Sequence, residues 1–321
     1  MAVSRSSSDR RTFLAGIIAS LGLVPGLAAC GKSGKPGVVL GDQVHLMQAK
    51  FEAAGALADA AHPITWANFA GAAPLLEALN AGAVDTAPAG DLPVVLAAAA
   101  GCRLKIAAVT QSSPQSMAII VPKGSPIRTV ADLAGKSVIV SSARGSISHY
   151  LLLEALREAD VPQEAVKIGF MLPNDAATAF ATGQIESWAI FGVYQAKAEA
   201  AGARILRDAT GIGPGYGVIA VSEEALAGKR DAIADILKRA QMANAWCRSH
   251  PTEHAAIYAR QTGVDIAIAR IMVARERPGL AAPDDGFITA VQKAADRFLE
   301  HGVLPRRVRL ADYVVSDLLP A

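Results

Sequence analysis

Of 321 residues only three are cysteine, and the charges almost cancel, 31 Lys and Arg against 29 Asp and Glu. Three cysteines cannot build a disulfide framework. No run of Lys and Arg interleaved with aromatics is present, which removes nucleic acid from the partners the chain is built for. There is no G-x-S-x-G elbow and no H-E-x-x-H pair, so the common hydrolase and zinc chemistries lack their usual supports. The glycines of "GIGPGYG" stand at every second position, the wrong spacing for a dinucleotide turn and suited to a hinge loop. His250 and His254 are spaced to share one helix face, but no third ligand accompanies them. They read as surface histidines, and no metal or other cofactor is expected.

What is present begins with a processing signal. Arg10 and Arg11 precede Phe13 and Leu14, and the apolar run "FLAGIIASLGLVPGLAA" is broken by Gly22, Pro25 and Gly26. That run is too short and too interrupted for a membrane span, and a basic start with small residues at the end makes an export signal. The arginine pair resembles a twin-arginine signal, and "LAAC" resembles a lipobox with Cys30 as the lipidated residue. Residues 1–29 are therefore expected to be cleaved, and 30–37 to form a lipid-anchored tether. Arg5, Arg10 and Arg11 against Asp9 carry the whole formal excess of +2, leaving the chain from Cys30 onward formally neutral. Cys102 and Cys247 read as buried, inert thiols.

Beyond the tether, short β-type runs alternate with helical ones. Candidate strands start at Val38, Pro63, Lys105, Met117, Lys136, Val166, Glu186, Ala203 and Tyr216, and "APLLEALNAG" and "HYLLLEALREA" are helices between them. After Ser222 only helical patterns remain: Glu224 to Cys247, Thr252 to Gln261, Asp284 to Glu300. Alternation of this kind predicts an α/β protein with largely parallel sheets. "LNAGAVDTAPAG", ending at Gly90, is echoed by "FATGQIESWAIFG", ending at Gly192. Each has a helix-stopping glycine, an acid, a hydroxyl and a strand, as expected of two lobes of like topology that each send a strand end to a shared cleft. "SMAIIVPKG" and "GPGYGVIAV" suit hinge segments.

The stretch "SSARGSISHYLLLEALREA", from Ser141, follows a buried strand and opens a helix. Ligands of open parallel sheets sit beyond the carboxyl ends of the strands, where helix N-termini present unpaired amides and partial positive charge. One cap needs one serine, yet Ser141, Ser142, Ser146 and Ser148 crowd this turn beside Gly145 and Arg144. The turn is expected to hold an anion.

From about Ile64 to Ala220 the chain resembles the periplasmic solute-binding proteins for aliphatic sulfonates, within the nitrate, sulfonate and taurine ABC importer group. The residues that carry the resemblance are "GAAPLLEALNAGAVDTAPAGDLP", "VPKGSPIRTVADLAGKSVIV", "GSISHYLLLEALREADV", "LPNDAATAFATGQIESWAIF" and "GARILRDATG". The resemblance implies a two-lobed, type II periplasmic binding protein-like fold: each lobe a mostly parallel sheet flanked by helices, two hinge strands, and closure over the ligand. The lobes would be 38–117 with 221–321, and 118–220. It further implies a monomer that hands its ligand to an ABC permease with a cytoplasmic ATPase, in the periplasm or at the cell surface. Carried over by motif, the expected ligand-binding residues are Gly90 and Asp91; Ser113 and Gln115 near the hinge; Gly145, Ser146 and His149 around the anion; Asn174 and Asp175; Trp188; and Gln43. Ser142, His45 and Phe191 join them from the turn, from the altered stretch after the first strand, and from the strand end. The family's "WDP" is here Phe191, Gly192 and Val193, and its "YQ" is Asp42 and Gln43, so one cleft acid is lost and another gained. Two alternatives stay open: an enzyme on the same fold, of a desulfinase or thiamine-precursor kind, and a binding protein for nitrate, bicarbonate or a pyrimidine precursor.

Overall fold

A computed structural model describes residues 36–319 apart from Pro214 and Pro278. The export signal, Cys30 and most of the tether lie outside the described residues. The first sheet contains β1 (Val38–Gln43), β2 (Ile64–Phe69), β3 (Thr86–Gly90), β4 (Leu104–Gln111) and β10 (Tyr216–Ser222), in the order β2-β1-β3-β10-β4. The second contains β5 (Met117–Val121), β6 (Ser137–Ser141), β7 (Lys167–Met171), β8 (Trp188–Phe191) and β9 (Arg204–Asp208), in the order β7-β6-β8-β5-β9. β1 lies parallel to β2 and β3, and β6 parallel to β7 and β8. β10 and β5 each run antiparallel to both neighbours.

The two orders are the same pattern used twice. In each sheet the strand that follows a crossing of the chain is inserted next to the last: β10 between β3 and β4, β5 between β8 and β9. The chain crosses between the sheets at residues 112–116 and 209–215, immediately before the two strands marked as hinges in the sequence. All of β10 pairs within the first sheet, although the sequence boundary at residue 220 cuts through it. The echo seen in the sequence marks β3 and β8, which hold the same place in the two sheets. Gly82 and Gly183, which stop the preceding helices, both take the left-handed conformation, at φ 71° and 75°.

Six helices follow strands, α1 (Leu46–Ala53), α2 (Ala72–Asn80), α3 (Asp91–Ala99), α4 (Ile147–Glu158), α5 (Pro173–Ala181) and α6 (Gly192–Ala200), and all but α5 reach the space between the lobes. The rest are α7 (Glu223–Gly228), α8 (Arg230–Ser249), α9 (Pro251–Thr262), α10 (Ile266–Arg275) and α11 (Asp285–Glu300). α11 is the most clearly amphipathic: Asp284 caps its N-terminus, and Phe287, Val291, Ala294, Ala295 and Phe298 are buried along one stripe. Each of its two phenylalanines contributes roughly 2–3 kcal/mol of burial.

These helices divide into two flanks. α11 and α3 of the first lobe pack beside α4 of the second, and α1 of the first lobe packs on α9, which packs on α10 and through it on α6 of the second. A buried cluster accordingly runs from Leu92 and Val95 through Leu151 and Leu152 to Phe298, and another joins Ala49 to Trp188, Val193, Tyr258 and Met272.

Candidate functional site

Between the lobes lies a cavity of about 560 Å³, bordered by strand ends and helix starts of both sheets. That volume lies in the range of pockets that enclose small organic molecules. Gly90 and Phe191, the ends of the equivalent strands β3 and β8, both reach it. The lobes also touch around it. A Cβ on Gly90 would stand 2.6 Å from Ile147 Cγ2, and one on Gly145 would stand 2.2 Å from Leu96 Cδ2. Tyr150 of α4 meets Phe298 of α11 edge-on at 5.2 Å. Glu154 of α4, buried, lies 3.2 Å from His301 Nε2 and 3.5 Å from Arg297, just past and near the end of α11.

The turn from β6 into α4 borders the cavity with Ser142, Ala143, Arg144, Gly145, Ser146 and Ile147. Its serines divide the work. Ser146 is the N-cap: its hydroxyl accepts from the His149 amide at 3.2 Å and donates to the Ser141 carbonyl at 2.7 Å. His149 accepts the Gly145 amide on Nδ1 at 3.1 Å. Burial, with Arg144 and His301 adding to it, lowers the His149 pKa to about 4, so the ring is a neutral acceptor at pH 7. What these bonds leave over is the working surface. Among the described residues no protein acceptor takes the amides of Ile147 and Ser148. With the Ser142 hydroxyl, they are donors at the positive end of a twelve-residue helix.

The matching turn of the first lobe is already occupied by the protein's own carboxylate. Asp42, at 1% exposure, accepts from the amides of Gln43, Met47 and Gln48 at 2.7, 3.0 and 2.8 Å. Asp91, 2% exposed, accepts from Leu92 and from Tyr216 at 2.7 and 3.1 Å. Burial raises the pKa of both to about 6, against the lowering effect of those amides. The sequence pattern did not reveal helix α1, since "VHLMQAK" has no helical period. The signal that could have found it is Asp42 itself, a side-chain acceptor placed ahead of a helix.

Of the expected site residues, Gln43, Gly90, Asp91, Ser113, Ser142, Gly145, Ser146 and Phe191 border the cavity. The other six do not. His45 takes a left-handed conformation at φ 59° and bonds to Gln48. Gln115 offers its carbonyl to Gln195. His149 is buried behind the turn against Phe170 and Phe298. Asn174 and Asp175 are exposed on the first turn of α5. Trp188, at 1% exposure, points into the second lobe, where its indole N–H donates to Ser141 Oγ at 2.8 Å. Trp188 thus steadies the β6 end from behind instead of walling the cleft. His254 is also corrected: it is buried, not on the surface, and neither ring nitrogen has a partner. No group of three potential metal ligands exists among the described residues. Cys102 borders the cavity, and burial reinforced by Glu223 pushes its thiol pKa up, while Cys247 is buried and pushed up to about 11.

Two lobes of one topology, joined by two crossings of the chain and meeting around a large cavity, define a periplasmic-binding-protein fold. Residues 68–254 match the NMT1/THI5-like family. Over 248 residues, 76% of this chain and 77% of its relative, the sequence is 33% identical to an aliphatic sulfonates-binding protein of Escherichia coli (strain K12). The alkanesulfonate-binding protein SsuA from Xanthomonas axonopodis pv. citri, bound to MOPS, superposes with a TM-score of 0.81 at 28% identity, over 87% of this chain and 98% of that one. The periplasmic aliphatic sulphonate binding protein SsuA from Escherichia coli gives 0.77 at 28% identity, over 88% and 93%. The chain belongs to the NMT1/THI5-like family.

Proposed function

We propose that this protein is the extracytoplasmic solute-binding component of an ABC importer and that it captures an organic sulfonate between its lobes. The observation that carries the reading is the turn before α4: the unclaimed Ile147 amide and the Ser142 hydroxyl on a cavity that the second lobe shares with the first. A sulfonate presents three oxygens with one delocalised charge and needs donors, not a metal. Charge-assisted hydrogen bonds of this kind are worth roughly 1.5–3 kcal/mol each, and micromolar binding takes about 8 kcal/mol. Two or three such bonds leave a remainder that the apolar walls, among them Leu76, Leu96, Ile147, Phe191 and Met272, are suited to supply around an organic tail.

On this reading the ligand bridges the lobes, closure reports occupancy, and the closed form is what a permease with its ATPase receives. The twin-arginine-like pair and the lipobox support export followed by anchoring through Cys30, with the lobes working as a monomer. A non-catalytic role is supported by the raised thiol of Cys102 and by His45 and His149 not bordering the cavity, so that no base meets the thiol there. A thermal-shift series followed by calorimetry tests the reading, with MOPS, alkanesulfonates, taurine, nitrate and bicarbonate as probes. Saturable binding of a sulfonate with inorganic anions inactive is expected. Binding of nitrate or bicarbonate with every sulfonate inactive overturns it.

A further inference from the structure

At the flank opposite α4 the cavity wall becomes polar. Lys50 of α1 and Glu276, at the end of α10, both border it, and their side chains are 18% and 16% exposed. Lys50 Nζ stands 2.8 Å from Glu276 Oε2 and 3.3 Å from Oδ1 of Asn244, which also borders the cavity. Lys50 and Glu276 form an ion pair through Oε2. Oε1 receives no donor among the described residues. Lys50 keeps at least one N–H free, since two contacts cannot use three. Behind the pair, on α9, Tyr258 and His254 are each 1% exposed, and neither the hydroxyl nor either ring nitrogen has a partner. Glu276 acts electrostatically on both.

Of these groups Lys50, Glu276 and Asn244 border the cavity, and a half-buried ion pair with hydrogen-bonding capacity left over on both members offers that capacity to a guest. The ion pair states what that guest must present. A tail ammonium drawn to Glu276 is repelled by Lys50, and a tail carboxylate meets the reverse, so a charged tail loses its hydration with little net return. A neutral group that both donates and accepts can use each member at once. We infer that the Lys50–Glu276 corner is a specificity subsite for the far end of the ligand, which carries an uncharged hydroxyl or amide. This rests on the reading that an organic sulfonate occupies the cavity, with its head at the α4 turn.

The experiment compares alkanesulfonates with ω-hydroxyalkanesulfonates of equal chain length, from two to six carbons, by calorimetry on the whole mature protein. At one length or more the hydroxylated ligand is expected to bind about tenfold tighter than its alkane, the effect of one hydrogen bond to a charged group. In the double substitution Lys50→Met with Glu276→Gln, which leaves no lone buried charge, the ratio of the two affinities is expected to fall to within about twofold. Circular dichroism confirms folding, and the wild-type comparison stands without any variant. Alkanes that bind as well as their hydroxylated partners at every length overturn the subsite and leave the sulfonate reading intact. A preference that survives the double substitution likewise overturns the subsite. Absence of binding in both series overturns the two readings together.

Discussion

After β1 the chain enters α1 with the Asp42 carboxylate already seated on the amides of Met47 and Gln48; after β6 it enters α4 with a serine hydroxyl as cap and the amides of Ile147 and Ser148 unclaimed. β1 and β6 hold the same place in sheets of the same order, so these are equivalent turns treated in opposite ways. A helix start attracts one anion. In the first lobe the protein provides it, and in the second it leaves the position to a guest. Seen this way, the acid gained at Asp42 is no second anion clamp. It closes the first-lobe turn to anions, and on the proposed reading this sets which way round a sulfonate enters.

The largest effect should come from erasing the difference. Ser146→Asp gives α4 what α1 has, a carboxylate at the cap. Aspartate caps a helix as well as serine does, so the fold should persist, with circular dichroism unchanged and Tm within about 5 °C, a loss of about 1 kcal/mol for the bond to the Ser141 carbonyl. The guest should be excluded by like charge and by occupied amides, with sulfonate affinity down at least about 100-fold in calorimetry. Undiminished affinity removes the anion from this turn.

A smaller effect should follow from pushing the two turns apart. Gly90 sits at φ −68°, which any residue adopts, so its glycine is required by space and not by backbone. Gly90→Ala sets a methyl 2.6 Å from Ile147 Cγ2 of the other lobe. Affinity should fall about tenfold, the cost of a modest overpacking strain, and small-angle scattering should report a wider molecule. Adding Ile147→Ala makes room for the methyl and should narrow the molecule again. Scattering profiles that match the wild type throughout would mean the lobes do not meet where these residues place them.

Much of this comparison was legible in the chain. The alternation of strands and helices, the echo between Leu79 and Phe180, and the serine-rich turn are all local patterns, because alternation and capping are written in neighbouring residues. Side-chain direction was harder to read. On β8, period two sends Trp188 and Ile190 to one face and Ala189 to the other, and only Phe191, at the strand end, reaches the cavity. Which face fronts the cleft depends on the neighbouring lobe, and no pattern within β8 states it. Asn174 and Asp175 fail for a related reason: α5 follows the edge strand β7, and its first turn opens to solvent. His254, read as a surface residue because no third ligand accompanies it and His250, is buried because α9 is covered by α1 and α10.

The faintest difference between the turns is in how each responds to acid. His149 supports the α4 turn as a neutral ring whose pKa is lowered from 6.5 to about 4 by burial. The unfolded chain takes up that proton first, so this group's stabilisation is present above pH 6.5 and is lost as pH falls through 4. Asp42 and Asp91 behave in the opposite sense. Their pKa values are raised from 3.8 to about 6, so their contribution is present below 3.8 and is lost as pH rises through 6. The first-lobe turn is therefore favoured by acid and the second is weakened by it. His149→Gln keeps an acceptor for the Gly145 amide but cannot titrate. Its stability relative to wild type, from denaturant unfolding at pH 7 and at pH 4, should improve by up to about 3 kcal/mol on acidification. His254, also lowered by burial, leaves a residual acid slope in the variant. A constant offset between the two proteins across that range would show that His149 stays protonated or exposed. The α4 turn would then lack the neutral acceptor that holds the Gly145 amide and keeps its partners ordered around the guest.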